Sequence, residues 1–449
     1  MAKLPIVSNL NSISTILRSS FVPKKAGKVI ATTTTAAILL AACGTSSAAS
    51  ATSSNTKVTN VSLWESHNGG PVAAEMTALV DKFNSTHKNI QVHITVTKAS
   101  KKLLAAVAAG NSPILAEISH YDGQYIKDHA LLSWNGFVKN SSNISSSSMF
   151  PVVWKNGQVG TNHYRLQADA KLSVVFYNQT MFSKAGIASP PKTWNQLSSD
   201  AAKLKAPGVI PVGWKDSSAH ILPAFLSNGG TMLKGSDSVG KAVDFNSPAG
   251  VKTFTYFRNL YASQNLVFDH GSTLRQDFAS GHMAMIDGTS AGYQKVLNAV
   301  GGKFKVGAFV EPAGSTGHAA NISQGLGFVL PKGHSQTQDK AAATFVRWWF
   351  APTQQAAWAE TTGYAPETHK GAAAIPASFI SSHPGLKVSI QAISSPYTLP
   401  RPVSDSYKEV QAALDSSFLQ IAQGKVPVVS GLKTLDQQGD SYMNGSTAL

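Results

Sequence analysis

The sequence predicts an α/β protein of two lobes, each a mixed, mostly parallel sheet flanked by helices. Three observations lead there. The chain has 449 residues, more than the roughly 250–300 at which a single core stops growing. Segments with period-2 apolar alternation take turns with segments of helical period, the pattern of layered α/β folds. Hydrophobic residues make up 43% and aromatics 8%, enough to pack such layers and too many for a disordered chain.

The N-terminus stands apart from the fold. Its first 28 residues carry Lys3, Arg18, Lys24, Lys25 and Lys28 and no acid. An apolar stretch from Val29 to Ala42 then ends at Cys43. At 14 residues it falls short of the ~20 needed to span a bilayer, but it fits a secretory leader. Leu40-Ala41-Ala42-Cys43 resembles the bacterial lipobox, which implies a leader over 1–42 and a lipid anchor on Cys43. Residues 43–57, rich in Ser, Thr and Ala, read as a flexible tether. A single cysteine excludes an intrachain disulfide, a Cys₄ zinc site and an iron–sulfur cluster held by one chain.

Val58 to Trp64 alternates as a strand and is broken by Glu65-Ser66-His67-Asn68-Gly69-Gly70-Pro71. Val72, Met76, Leu79, Val80 and Phe83 mark one face of the helix that follows. Ile90 to Val96 alternates again, Lys101 to Ala109 is a short helix, and Ile114 to Ile118 is a third strand. The second block opens with a strand over Leu172 to Tyr177 and a helix over Thr180 to Ala185. Thr193 and Gln196 form a capping-box pattern ahead of another helix. Met283 to Ile286, Phe304 to Phe309 and Gly325 to Leu330 read as buried strands. Asp339 to Phe350 and Thr353 to Glu360 read as helices separated by Pro352. The polar run Ser141 to Ser148 is a surface loop.

Charge and motifs narrow the chemistry. Lys and Arg number 38 against 23 Asp and Glu, a net +15, or +10 once the five basic leader residues are removed. The lysines are scattered and form no stripe beside stacking aromatics, so nucleic acid is not the expected partner. A shortage of acids also suits a protein exposed to acid. No H-x-H, H-E-x-x-H, calcium loop or phosphate-binding glycine motif occurs, so the sequence calls for no metal and no cofactor. Gly288-Thr289-Ser290-Ala291-Gly292 fits the G-x-S-x-G elbow of a secreted serine hydrolase, with Glu311 or Asp339 and then His369 following in order. Without an oxyanion-loop motif, the alternative is a polar turn facing a ligand. Among the eight tryptophans, Trp64 and Trp214 are candidates to line a cleft, as is Tyr364.

Four segments resemble the extracellular solute-binding proteins, family 1, of ABC importers. They are Leu63-Trp64-Glu65-Ser66; Ser173 to Asn178 with Phe182-Lys184-Ala185-Gly186 and Pro190 to Trp194; Phe278-Gly281-Met283-Ala284-Met285; and Trp358 with Thr362-Gly363-Tyr364-Ala365-Pro366. The resemblance implies a periplasmic-binding-protein-like fold of type II with three interlobe crossings, near Asp169–Lys171, Val306–Phe309 and Tyr364–Glu367. The lobes are then 58–169 plus 308–365 and 170–307 plus 366–449. It implies a non-enzymatic monomer at the extracellular face of the membrane, held by lipidated Cys43. This monomer closes on a solute and hands it to the permease subunits. A surface sensor of the same fold is the other possibility. The solute class is glycerol-3-phosphate, a glycerophosphodiester or a sugar, because the resemblance is strongest to glycerol-3-phosphate-binding members. On that resemblance Tyr364 is a ligand-binding tyrosine and Arg401 the phosphate-pairing arginine. Thr289 or Ser290 stands where that group has a ligand-contacting serine. Ser119 stands where the group carries a glutamate, and the region of Lys101 replaces an early tyrosine. Asp169, Lys171, Gln324, Gly325 and Asn68 complete the expected site.

Overall fold

A computed structural model describes residues 57–67, 69–119, 123–234 and 242–444. Cys43 with the expected leader, Asn68, and His120 lie outside the described residues. Strand–helix alternation in the first third builds β1 (Thr59–Glu65), β2 (Ile90–Val96) and β3 (Leu115–Ile118), parallel in the order β2-β1-β3. The chain then lays down β4 (Leu131–Leu132), a small hairpin of β5 (Gln158–Val159) and β6 (Asn162–His163), and β7 (Leu166–Gln167).

A second sheet follows, with β8 (Ser173–Asn178), β9 (Ile210–Lys215), β10 (Leu266–Asp269), β11 (Met283–Thr289) and β12 (Val306–Val310) in the order β10-β9-β11-β8-β12. β10, β9 and β11 are parallel, while β8 is antiparallel to both β11 and β12. β13 (Asn321–Ile322) comes next. Then β14 (Gly327–Pro331) returns to the first sheet, antiparallel to β3, β4 and β7. β15 (Thr398–Leu399) pairs in parallel with β13. β8 and β14 enter their sheets from the other lobe and run against their neighbours, whereas β12 runs in the same direction as β11 and is antiparallel only to β8.

Local chemistry sets the helices. The helix Gly70–Thr86 starts on Pro71, whose missing N–H costs nothing in the first turn, and buries Met76, Leu79, Val80 and Phe83 on one face. The helix Trp194–Leu204 carries the full capping box: Thr193 Oγ accepts from the Gln196 N–H at 3.2 Å, and Gln196 Oε1 accepts from the Thr193 N–H at 3.2 Å. Among the described residues, no helix is long and apolar enough to cross a membrane.

Two cores result. The first packs Leu63, Phe83, Trp134, Phe328, Phe345 and Trp349; the second packs Trp194, Trp214, Phe225, Phe257 and Phe418. Three backbone segments run side by side where the lobes join. The Ala168 N–H donates to the Leu326 carbonyl at 3.0 Å, Lys171 and Gln324 exchange backbone hydrogen bonds of 2.9 and 3.1 Å, and the Ala365 N–H donates to the Ala170 carbonyl at 2.8 Å.

These pairings move two expected boundaries. The crossing expected near Val306–Phe309, and with it the start of the second N-lobe segment at 308, is displaced. β12 pairs with β8 from Val306 to Val310, so the chain re-enters the first lobe only between Ile322 and Gly327. A buried apolar strand can join either sheet, and only the pairing partner decides which. The C-terminal lobe does not begin at 366 either. The helix His369–Ala374 still packs on the first lobe, where Gly371 closes on Gln355 and His369 lies edge-on to Phe150. The helix Pro384–Ile393 is the first beyond it to pack on the second lobe, with Val388 in the cluster around Phe176 and Val306.

Candidate functional site

Parallel strands bring their carboxyl ends to one edge, and ligands of open α/β sheets gather there. β1 ends at Glu65 and its neighbour β3 carries Glu117, with Leu63 opposite Leu115 and Trp64 opposite Ala116. Period 2 then places Glu65 and Glu117 on the face of Leu63 and Leu115, and Trp64 on the other face beside Ala116. Both acids are buried, with Glu117 0% exposed and neither of its carboxylate oxygens hydrogen-bonded.

His67, in the loop after β1, sits among these acids. Its Nδ1 is 2.5 Å from Glu65 Oε1 and 3.7 Å from Glu117 Oε2; its Nε2 is 3.0 Å from Asp169 Oδ2 at the first crossing. Burial alone would lower its pKa, but the hydrogen bonds to Asp169 and Glu65 and the charge of Glu117 outweigh burial and lift it to about 11. Burial, against the pull of His67, pushes Glu117 up to about 8. Tyr364 stacks on Trp358 (5.8 Å between ring centroids, 14° between planes) and meets His67 edge-on at 6.2 Å. Burial and the three surrounding acids raise its hydroxyl pKa.

The second lobe faces this cluster with cations. The Lys171 side chain is half-buried and, among the described residues, has no hydrogen-bond or ion-pair partner. Burial pushes its ammonium pKa down; Asp169 opposes the shift, and Arg401 and Lys295 reinforce it. Arg401 is 3% exposed, donates Nη1 to Gln411 Oε1 at 2.8 Å and to the Tyr407 hydroxyl at 3.3 Å, and keeps a buried Nε with no acceptor. Asp405 forms an ion pair with Lys127 at 2.7 Å. Burial lowers the pKa of Lys215 at the end of β9, with Asp287 opposing; its Nζ lies 3.5 Å from His220 Nε2. Glu311, buried with both oxygens unpartnered, is raised well above the ordinary range by burial and by Asp287.

The other expected site residues divide cleanly. Asp169, Lys171, Gln324, Gly325 and Tyr364 meet where the lobes join. Gly325 has φ +137°, and a Cβ there would stand 1.8 Å from the Asp169 carbonyl oxygen, so the crossing needs glycine. Gln324 contributes its backbone pair with Lys171 and a buried Nε2 without an acceptor. Ser119, just past β3, has its N–H held by Ser100 Oγ at 2.9 Å. Thr289 is half-buried at the end of β11. Ser290 is fully buried; its Oγ accepts from the Leu172 N–H at 3.3 Å and its N–H donates to the Leu172 carbonyl at 2.9 Å. That hydroxyl fastens a strand-to-helix turn to the first crossing and is neither a nucleophile nor open to a ligand.

Trp214 is corrected. It is 0% exposed in the second core, lies edge-on to Trp194 and Phe257, and donates Nε1–H to the His220 carbonyl at 2.8 Å. Trp64 faces the Leu103 and Ile118 cluster on the opposite side of the sheet from Glu65 and Glu117. Sequence reasoning missed His67, Glu117 and Lys215, and offered Glu311 only as a triad acid of the hydrolase alternative. Glu117 had a readable signal, a lone acid in the buried strand Leu-Ala-Glu-Ile; the others are set by tertiary contact.

Two α/β lobes sharing three crossings, with titratable and aromatic groups gathered at the junction, have the build of a protein that closes on a small solute. The chain belongs to the bacterial extracellular solute-binding protein family, whose model matches residues 78–388. This is a family of binding proteins, not enzymes. The sn-glycerol-3-phosphate-binding periplasmic protein UgpB of Yersinia enterocolitica is 24% identical over 86% of this chain and 93% of its own length. That of Pectobacterium atrosepticum is also 24% identical, over 69% of this chain and 73% of its own. Among solved structures, the cyclic alpha-maltosyl-1,6-maltose binding protein of Arthrobacter globiformis superposes with a TM-score of 0.75 at 20% identity, over 86% of this chain and 99% of that one. UgpB from Mycobacterium tuberculosis, in complex with glycerophosphocholine, gives 0.71 at 16% identity, over 86% and 98%. These structures share the fold.

Proposed function

We propose that this chain is the lipid-anchored capture subunit of an ABC importer and that its solute is a glycerol phosphate or glycerophosphodiester. The observation that carries the solute class is Lys171, a half-buried ammonium with no hydrogen-bond or ion-pair partner among the described residues, within electrostatic reach of Arg401 and Lys215. A partly desolvated cation without a partner is costly, and a phosphate oxygen relieves it with charge-assisted hydrogen bonds. The curated relatives named for sn-glycerol-3-phosphate binding agree in chemistry. Carboxylates and the Tyr364–Trp358 stack across the junction suit the hydroxyls and apolar faces of the remainder of the solute. Closure about the three crossings buries the solute, and the closed form docks on the permease.

A sugar is the competing solute, favoured by the same aromatic stack and by the maltoside binders that share the fold. Calorimetry separates the two. Wild type should bind sn-glycerol-3-phosphate or glycerophosphocholine more tightly than maltose. Lys171→Ala and Arg401→Ala should each weaken the phosphate ligand about 10- to 100-fold, the value of a charge-assisted hydrogen bond, and a neutral sugar less. Equal losses for both ligands, or none, would remove the phosphate role.

A further inference from the structure

Glu65, His67 and Glu117 come from two strands and a loop up to 52 residues apart, yet each offers one ligand atom within 4.8 Å of the others. We infer that these three residues form a binding site for a divalent transition-metal ion of the zinc class, oriented by Asp169. The metal site goes beyond the solute reading and does not rest on it.

Four observations support the site. Its donor set is one imidazole nitrogen and two carboxylates, the mixed set that suits zinc-class ions; magnesium and calcium prefer all-oxygen shells. The spacing fits: donors about 2.0–2.2 Å from a tetrahedral ion stand roughly 3.3 Å apart, and His67 Nδ1 lies 2.5 Å from Glu65 Oε1 and 3.7 Å from Glu117 Oε2. An ion would enter with small side-chain rotations. Glu117 supplies the independent sign of a ligand: it is 0% exposed, aimed at Nδ1, and neither carboxylate oxygen has a hydrogen-bond partner. An unsatisfied buried carboxylate is costly, and a metal ion satisfies it fully. Finally, His67 Nε2 meets Asp169 Oδ2 at 3.0 Å. This is the carboxylate–imidazole–metal relay that fixes the ring, and an ion at Nδ1 would take the place of the proton that this nitrogen shares with Glu65. Three protein donors leave a coordination position open.

The test uses the untagged full chain, stripped with EDTA and titrated calorimetrically with Zn²⁺ alone, without solute. One ion per chain should bind, while Mg²⁺ and Ca²⁺ give no heat. His67→Gln and Glu117→Gln should abolish binding, and Asp169→Asn should weaken it about 10- to 100-fold; His318→Gln, far from the cluster, should leave it unchanged. Absorption by the Co²⁺-substituted wild type should report four- or five-coordination, and X-ray absorption a single imidazole, a readout that does not depend on any variant folding. No Zn²⁺ binding, binding that survives Glu117→Gln and His67→Gln, or two or more imidazoles around the ion would overturn the site. Solute titrations repeated in EDTA report on the capture role separately, so either reading can fail alone.

Discussion

At Trp214 the side chain fills the second core, and its indole N–H is satisfied by the His220 carbonyl. Trp214→Ala leaves a large cavity and an unpaired carbonyl, so urea unfolding should show a loss of about 3–5 kcal/mol. A loss of affinity with unchanged stability would instead return Trp214 to the cleft. Strand parity explains the difference from Glu117. Neighbouring residues of a strand point to opposite sides, and no local feature of Gly213-Trp214-Lys215 says which side faces the junction. A tryptophan stacks equally well in a core or a binding site. An acid in a buried strand has no such freedom, because it needs a partner or a proton.

The elements that matter most to function are the three crossings, and Gly325 is the tightest point among them. With φ +137° and the Asp169 carbonyl where a Cβ would lie, Gly325→Ala has to push apart the segments around Asp169 and Gln324. Strain of this kind costs roughly 1–3 kcal/mol. The expected result is a lower melting temperature together with weaker solute binding, read by thermal shift and calorimetry on one sample. An unchanged melting temperature would show that the crossings yield at no cost. The capping box at Thr193 and Gln196, by contrast, is complete within four residues, so the sequence displays it in full.

On the scale of the molecule, buried acids set the response to pH. Burial, countered only in part by the Ala170 N–H, raises Glu367 from 4.5 to about 8, and burial raises Asp436 from 3.8 to about 6. Between those limits the folded chain keeps protons that the unfolded chain has released, so stability falls as pH rises through 4.5 to 8. Buried His163 and His220, both lowered by burial, act oppositely below about 6.5, where the unfolded imidazoles charge first. The melting temperature should therefore drop from pH 6.5 to pH 8, and Glu367→Gln should remove part of that drop. A flat or rising profile, or an identical drop in the variant, would count against this assignment.

The proposed lipid anchor is tested at the same scale. With a lipobox-like Leu40-Ala41-Ala42-Cys43 and no membrane-spanning helix among the described residues, Cys43→Ala should release the protein from washed membranes into the soluble fraction. Retention of the variant on membranes would require a different anchor.

The sequence by itself determined the strands and helices whose periodicity is strong, the capped helix after Thr193, the two-lobed α/β class and the family. Each of these follows from residues near one another in the chain. Tertiary structure alone decided which sheet receives β12, which tryptophan is core, and that Ser290 fastens a turn. It also decided that Glu65, His67, Glu117 and Asp169 meet while Lys171 and Arg401 come together in the other lobe. The reason is physical: a strand carries its hydrogen-bonding groups on both edges and its side chains on both faces. Its partner and its buried face are fixed by long-range pairing, and the charges of a cleft acquire their meaning only from neighbours that the chain brings back over tens to hundreds of residues.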